Sequence, residues 1–191
     1  MSDCESNASY ESGFPKDDIV RYGDHIYLKH CATGRLLSSN DEAYEGGSGQ
    51  QMVFASDDGD ENVSVWKILT PSGSEERPGY EVGYDDILRL KHLGTGRHLH
   101  SHEIESPITG QQEVSGFGND DESDDNDLWV LERLGEGDED SLWHVDTPVI
   151  LRHAQTRNTL HSHNEAYDDE KNEVTAYGAE SDENDAWVAT A

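Results

Sequence analysis

The sequence predicts an all-β fold, a β-trefoil, and three observations carry that prediction. One short pattern occurs three times, with His30, His92 and His153 in step at separations of 62 and 61 residues. Every copy offers strand-like runs of Val, Ile, Leu, Tyr and Trp bounded by Gly, Asn and Asp, and no window combines a sustained helical period with caps. Every copy also closes on one tryptophan, Trp66, Trp129 or Trp187, which suits a shared core. A fixed period makes each copy one structural unit. Three such units are too few for an open solenoid but suit a closed object of six barrel strands capped by three hairpins. Closure removes the sheet edges that otherwise invite aggregation.

Residues 1–21 are polar and acidic and read as a lead arm, flexible or docked on a partner. The trefoil then spans 22–191. Copy one covers about 22–70. Its first strand, Ile26-Tyr27-Leu28-Lys29-His30, places Ile26 and Leu28 on one face. Thr33-Gly34-Arg35 is a tight turn in which Gly34 takes positive φ. Ser38-Ser39, Gly49-Gln50-Gln51-Met52-Val53 and Trp66 follow. Pro71 to Gly79 is a turn-rich connector. Copy two, about 80–134, repeats the plan with Leu88-Arg89-Leu90-Lys91-His92, the Gly96 turn, His98-Leu99-His100-Ser101-His102, Gly110-Gln111-Gln112-Glu113-Val114-Ser115-Gly116-Phe117 and Trp129. Gly135 to Asp140 is a second connector. Copy three, about 142–191, runs through Val149-Ile150-Leu151-Arg152-His153, His161-Ser162-His163 and Asn172 to Gly178, and closes at Trp187. Its turn lacks the glycine, and Asn158 stands where a left-handed residue is tolerated.

The string Leu-x-His-x-x-Thr-Gly-x-x-Leu-His-Ser-His, followed by Gly-Gln-Gln-Glu-Val-Ser-Gly-Phe and a later Asn/Asp-x-Trp, resembles the MIR domain. That domain is shared by protein O-mannosyltransferases, inositol-trisphosphate and ryanodine receptors, and stromal-derived-factor-type luminal proteins. The resemblance covers about Tyr22 to Ala191. It is strongest in copy two and weakest in copy one, where Ser38-Ser39-Asn40 replaces His-Ser-His. It implies a β-trefoil with no catalytic activity of its own and links to glycans.

Asp and Glu number 42 against 13 Lys and Arg, for a net charge of −29. Self-repulsion at this density strains a compact fold at low ionic strength. At molar salt the screening length falls to about 3 Å, so the composition suggests a halophilic source. No basic footprint exists for nucleic acid. No apolar run approaches the roughly 20 residues of a membrane helix, and Met1 to Ser6 does not read as a signal peptide. The expectation is synthesis in the cytoplasm, with incorporation into a virion or surface assembly as one destination. Cys4 and Cys31 make no disulfide framework and read as free thiols.

His98, His100 and His102 alternate along a strand, as do His161 and His163, so each set shares a face. Alternate histidines ligate transition metals, but here they recur as part of the repeat, and neither a metal nor a cofactor is expected. Ser101 and Ser162 lie on the opposite face from their flanking histidines, which defeats a nucleophile–base pair. With so many acids, paired carboxylates identify no glycosidase, and the chain reads as a non-enzyme. A binding reading fares better. His100, His102, Gln111 and Gln112 beside Phe117, and His161 and His163 beside Tyr167 and Tyr177, offer amides and imidazoles next to an aromatic face, as a sugar ring requires. The acidic loops favour a neutral glycan, a glycoprotein or a basic protein. The alternative is a structural subunit of a larger assembly, such as a virion component of a halophilic host, docked through residues 1–21.

Overall fold

The computed structural model of the chain describes residues 17–135 and 140–191. The fold is all-β, with β1 (His25–His30), β2 (Leu36–Ala43), β3 (Gln51–Ser56), β4 (Val65–Leu69), β5 (Ile87–His92), β6 (His98–Glu105), β7 (Gln112–Phe117), β8 (Trp129–Arg133), β9 (Val149–His153), β10 (Thr159–Asp168), β11 (Lys171–Tyr177) and β12 (Trp187–Thr190). Helical structure among the described residues is confined to the four-residue α1 (Glu61–Ser64) and two single 3-10 turns, Asp125–Asp127 and Glu183–Asp185. Each begins at an aspartate, Asp60, Asp124 or Asp182, whose side chain accepts a backbone N–H two residues on. That bond satisfies one of the donors a helix start leaves open.

The pairing closes a ring. β1 pairs with β12, β12 with β9, β9 with β8, β8 with β5, β5 with β4, and β4 returns to β1. The other six strands form the hairpins β2–β3, β6–β7 and β10–β11. Their second strands pair with one another, β3 with β7, β7 with β11 and β11 with β3. No ring strand keeps an open edge.

Alternation places the core. Ile26, Leu28, Leu88, Leu90, Val149 and Leu151 are fully buried, as are Trp66, Trp129 and Trp187. Each of these indoles donates its N–H to the carbonyl of Leu37, Leu99 or Leu160, at 2.8, 3.0 and 3.0 Å. A buried indole needs such a partner. The histidine that ends each first strand is a second stitch. His30, His92 and His153 set Nδ1 2.9, 2.8 and 2.9 Å from the Oγ1 of Thr33, Thr95 and Thr156. Their Nε2 atoms lie 2.8, 2.8 and 2.9 Å from the carbonyls of Asn184, Val63 and Asn126. A carbonyl only accepts, so Nε2 carries the proton and Nδ1 takes the threonine hydroxyl's. Burial pushes all three imidazoles below the usual histidine range. Each ring also packs on a tryptophan, at 4.8 to 5.0 Å between centroids.

Two expectations are corrected. The lead arm does not extend to residue 21: Val20 is fully buried, its N–H donates to Trp143 O at 2.8 Å, and Ile19 and Arg21 bridge to His144 and Glu81. An apolar residue inside a polar run was enough to enter the core. The rest of the expected arm, 1–16 with Cys4 and the assembly contact assigned to it, lies outside the described residues. The turn of copy three does not use Asn158. Gly34 and Gly96 have φ of 74° and 73°, and the residue at their position, Arg157, takes 65°. Asn158 instead donates Nδ2 to Gln112 Oε1 at 2.9 Å. Cys31 is exposed and free. Among the described residues no helix is long and apolar enough to cross a membrane.

Candidate functional site

The hairpins carry the histidine strings, and cross-strand register decides what each side chain meets. His98 pairs with Phe117 and His100 with Ser115, so the three histidines share the face of Phe117. His100 places Nδ1 2.8 Å from Asp127 Oδ1 and its ring 4.5 Å from that of Phe117. Asp127 is fully buried. Burial pushes its carboxyl up, but hydrogen bonds from His100, Ser123 and the Asp124 N–H outweigh burial and hold it below the usual range. Copy three repeats the set. His161 Nδ1 lies 2.7 Å from Asp185 Oδ1, and its ring sits 5.2 Å from that of Tyr177.

His102 and His163 reach a second carboxylate, Glu113 at 3.2 Å and Glu173 at 3.0 Å. Both glutamates are fully buried, and each holds the tip of the preceding hairpin. Glu113 accepts from the Ser48 hydroxyl and, at 3.1 Å, from the Ser48 N–H. Gly47 passes so close that a Cβ there would fall 2.0 Å from Glu113 Oε2. Glu173 accepts from Ser106 Oγ at 2.7 Å and Thr109 Oγ1 at 2.6 Å. Burial raises the Glu173 carboxyl, but bonds from His163, Thr109 and Ser106 prevail and lower it. At the same place in β3 stands Met52, which offers no acceptor of this kind.

The expected grouping is therefore split. Gln112 lies on the opposite face from His100: its Nε2 donates to Ser101 Oγ at 2.7 Å and to Thr156 Oγ1 at 3.0 Å, stapling copy two to copy three. Gln111 accepts from Thr175 Oγ1 at 2.7 Å. Tyr167 does not join His161 and His163. Register shifts in β10 after Ser162 and after Ala166 carry it to Tyr44, ring centroids 6.1 Å apart. Tyr177 and Phe117 do flank their histidines. Ser101 and Ser162 donate to the carbonyls of Glu113 and Glu173 at 2.7 and 2.8 Å, away from the histidine face.

Copy one builds the same positions from serines. Ser38 stands where His100 and His161 stand, Ser56 where Phe117 and Tyr177 stand, and Ser64 precedes Trp66 by two as Asp127 and Asp185 precede their tryptophans. Ser38 Oγ lies 2.8 Å from Ser56 Oγ and 2.9 Å from Ser64 Oγ. Ser64 Oγ donates to Asp58 O at 2.5 Å. Beside this cluster, with Ser56 on its wall, lies a cleft of about 610 Å³, bordered also by Asn40, Phe54, Asp58, Asp169 and Lys171. Lys171 sits over the Phe54 ring, 5.3 Å from its centroid.

Two groups have the spacing of a metal site: His100, Asp124 and Asp127, and His161, Asp182 and Asp185, with ligand atoms within 4.8 Å of one another. Their carboxylates are already engaged. Asp124 and Asp182 cap the 3-10 turns, and Asp127 and Asp185 reach back to the capping N–H. Asp127, Asp185, Glu113 and Glu173 escaped the sequence-based candidate set, although their fixed offsets from the tryptophans and from Gln112 and Asn172 signal them.

A family model, the MIR domain, matches residues 39–187. A stromal cell-derived factor 2-like protein of Arabidopsis thaliana is 39% identical over 148 residues, covering 78% of this chain and 66% of that protein. This chain thus spans just under two thirds of that relative's length. Among solved structures, an SDF2-like protein from Arabidopsis thaliana is similar with a TM-score of 0.84 and 36% identity, over 90% of this chain and 94% of that one. A chain of the S. cerevisiae protein O-mannosyltransferase Pmt1-Pmt2 complex bound to the sugar donor is similar with a TM-score of 0.75 and 28% identity, over 86% of this chain and 24% of that one.

Proposed function

The chain belongs to the MIR domain family, and we propose that it is a β-trefoil of three MIR-type repeats that binds a neutral glycan or glycoprotein without catalysing a reaction on it. The ring of six strands, the three hairpins and the threefold recurrence of the His–Thr and Trp–carbonyl stitches support the trefoil. The observation that carries the binding reading is the copy-one cleft. Its carboxylate, amide and hydroxyl oxygens accept from sugar hydroxyls, and Phe54 and Val63 contribute its apolar surface. In copies two and three Phe117 and Tyr177 pack on His100 and His161 instead, and Gln111 and Gln112 join hairpins to one another.

The exposed acids Asp57, Asp58, Asp169 and Glu170 around the cleft disfavour sulfated and sialylated ligands. Mannose is the neutral sugar to try first, because one similar solved chain is part of an O-mannosyltransferase. The net charge of −29 fits work in concentrated salt, where self-repulsion is screened. The test is a glycan array with mannose-bearing glycopeptides, followed by isothermal titration at low and multimolar KCl. Binding that survives high salt and falls by about tenfold or more in Asn40→Ala/Asp58→Ala, a loss of about 1.4 kcal/mol, is the expected result. A folded protein that binds no glycan at either salt rejects the reading.

A further inference from the structure

We infer that a second cleft, at the end of β1 remote from the β2–β3 hairpin, binds the carboxylate of a small organic acid, acidic sugars included. Its wall is the connector between copies one and two, which folds back along the chain entering β1. Gly79 N–H donates to Tyr22 O at 2.8 Å, and Tyr22 N–H to Tyr80 O at 3.0 Å. The space enclosed is about 740 Å³, bordered by Tyr22, His25, Lys67, Leu69, Arg77 and Pro78, with Glu76 its one carboxylate. That volume is in the range of small-ligand pockets, about 300–1,000 Å³.

The charge pattern is what marks it. With 42 acids to 13 Lys and Arg, a cation on this chain should find an acid. Arg21, Arg35, Lys91, Arg152, Arg157 and Lys171 all do. Arg89 and Arg97 donate to the carbonyls of Thr70 and Gly118 instead, and Lys29, Lys67 and Arg77 take no ion-pair partner within 4.0 Å among the described residues. Of these three, Lys67, whose charge also reaches Asp120, and Arg77 border one cleft. Moreover, His25 and Lys67 are direct partners across β1 and β4. Burial and then the Lys67 charge push the His25 imidazole down. On its other side Lys67 stands directly opposite Lys91 across β4 and β5; like charges so placed disfavour a sheet, and an anion bound by Lys67 relieves that repulsion. A guanidinium offers a carboxylate two parallel N–H donors, and an ammonium adds a point charge. Leu69, Pro78 and the edge of Tyr22 cover the ligand's body. The overall field of the chain repels anions, so anion uptake here reports a local site rather than diffuse attraction.

The experiment is isothermal titration of the full chain with glucuronate and with glucose as its uncharged counterpart, at fixed ionic strength. It compares the wild type, Lys67→Gln/Arg77→Gln, and Lys29→Gln, which removes an exposed cation outside this cleft. The expected result is glucuronate binding with glucose weaker by about tenfold or more, a similar loss in the double variant, and a change below about twofold in Lys29→Gln. Arg77 is exposed, so Arg77→Gln alone carries the test if the double variant melts early. No glucuronate uptake by the wild type, equal binding of the two sugars, or an equal loss in Lys29→Gln overturns the proposal.

Discussion

Copy one and its two sister copies solve the same local problem in different ways. In copies two and three the space between hairpin and tryptophan loop is filled by an imidazole, a buried aspartate and an aromatic ring: His100, Asp127 and Phe117, or His161, Asp185 and Tyr177. In copy one three serines satisfy one another's hydroxyls, and Ser56 alone of them reaches the wall of the neighbouring cleft. A charge-assisted pair closes its surroundings because neither member tolerates the loss of the other, whereas a hydroxyl network is replaceable. The difference teaches that the same three positions are held by a carboxylate–imidazole pair under an aromatic ring in two copies and by a compact hydroxyl cluster in the third.

The largest effect should come from breaking the charged version. Asp127→Ala and Asp185→Ala each leave a buried imidazole N–H without its carboxylate and should destabilise by about 2–3 kcal/mol in urea unfolding, while Ser64→Ala should change stability by only about 1 kcal/mol. Equal losses at Asp127 and Ser64 would erase the distinction.

Acid should come next. His30, His92 and His153 sit below the usual histidine range, so the unfolded chain takes up these protons first. Stability is then full above about pH 6.5 and falls below it, by up to about 1.4 kcal/mol per pH unit for each group. Asp127 and Glu173 sit below the usual carboxylate range. Their contribution is full above about pH 4 and disappears as pH drops through the lowered folded values. The histidine loss belongs to all three copies, and the carboxylate loss only to copies two and three. Urea midpoints measured from pH 8 downward should show both steps, and a flat profile between pH 7 and 5 contradicts the first.

The hairpin tips offer a finer contrast, since Glu113 and Glu173 each clasp one and Met52 clasps none. Glu173→Gln should weaken the fold by about 1–3 kcal/mol and speed amide exchange at Ser106 to Gly110 while leaving Gly46 to Gly49 unchanged. Uniform acceleration at both tips would show that the clasps act globally. The smallest effect lies in the turns. Gly96→Ala should destabilise by about 1 kcal/mol, whereas Arg157→Gly should stabilise by no more than that, because it relieves a left-handed side-chain residue.

The ring strands were legible because alternation alone put Ile26, Leu28, Leu88 and Leu90 inside. The histidine strings were located on the correct strands, and the opposite facing of Ser101 followed from parity. What parity does not give is the relation between two strands. That the histidines share the face of Phe117 rests on the pairing of His98 with Phe117; given it, Gln112, an odd number of residues before Phe117 in β7, falls on the other face. Register shifts in β10 moved Tyr167 to Tyr44. The copy-one cleft joins Asp58 to Asp169, residues brought together only when β3 meets β11. Val20 was hidden by its polar neighbours.

The most direct measurement is backbone NMR shift mapping of the ¹⁵N-labelled chain titrated with a mannosylated peptide. Saturable shifts centred on Asn40, Ser56, Asp58 and Lys171, with His102, Phe117, His163 and Tyr177 unmoved, are the predicted outcome. Shifts centred on those histidines and aromatic residues, with Asn40 and Asp58 silent, would contradict the account and return the binding site to copies two and three.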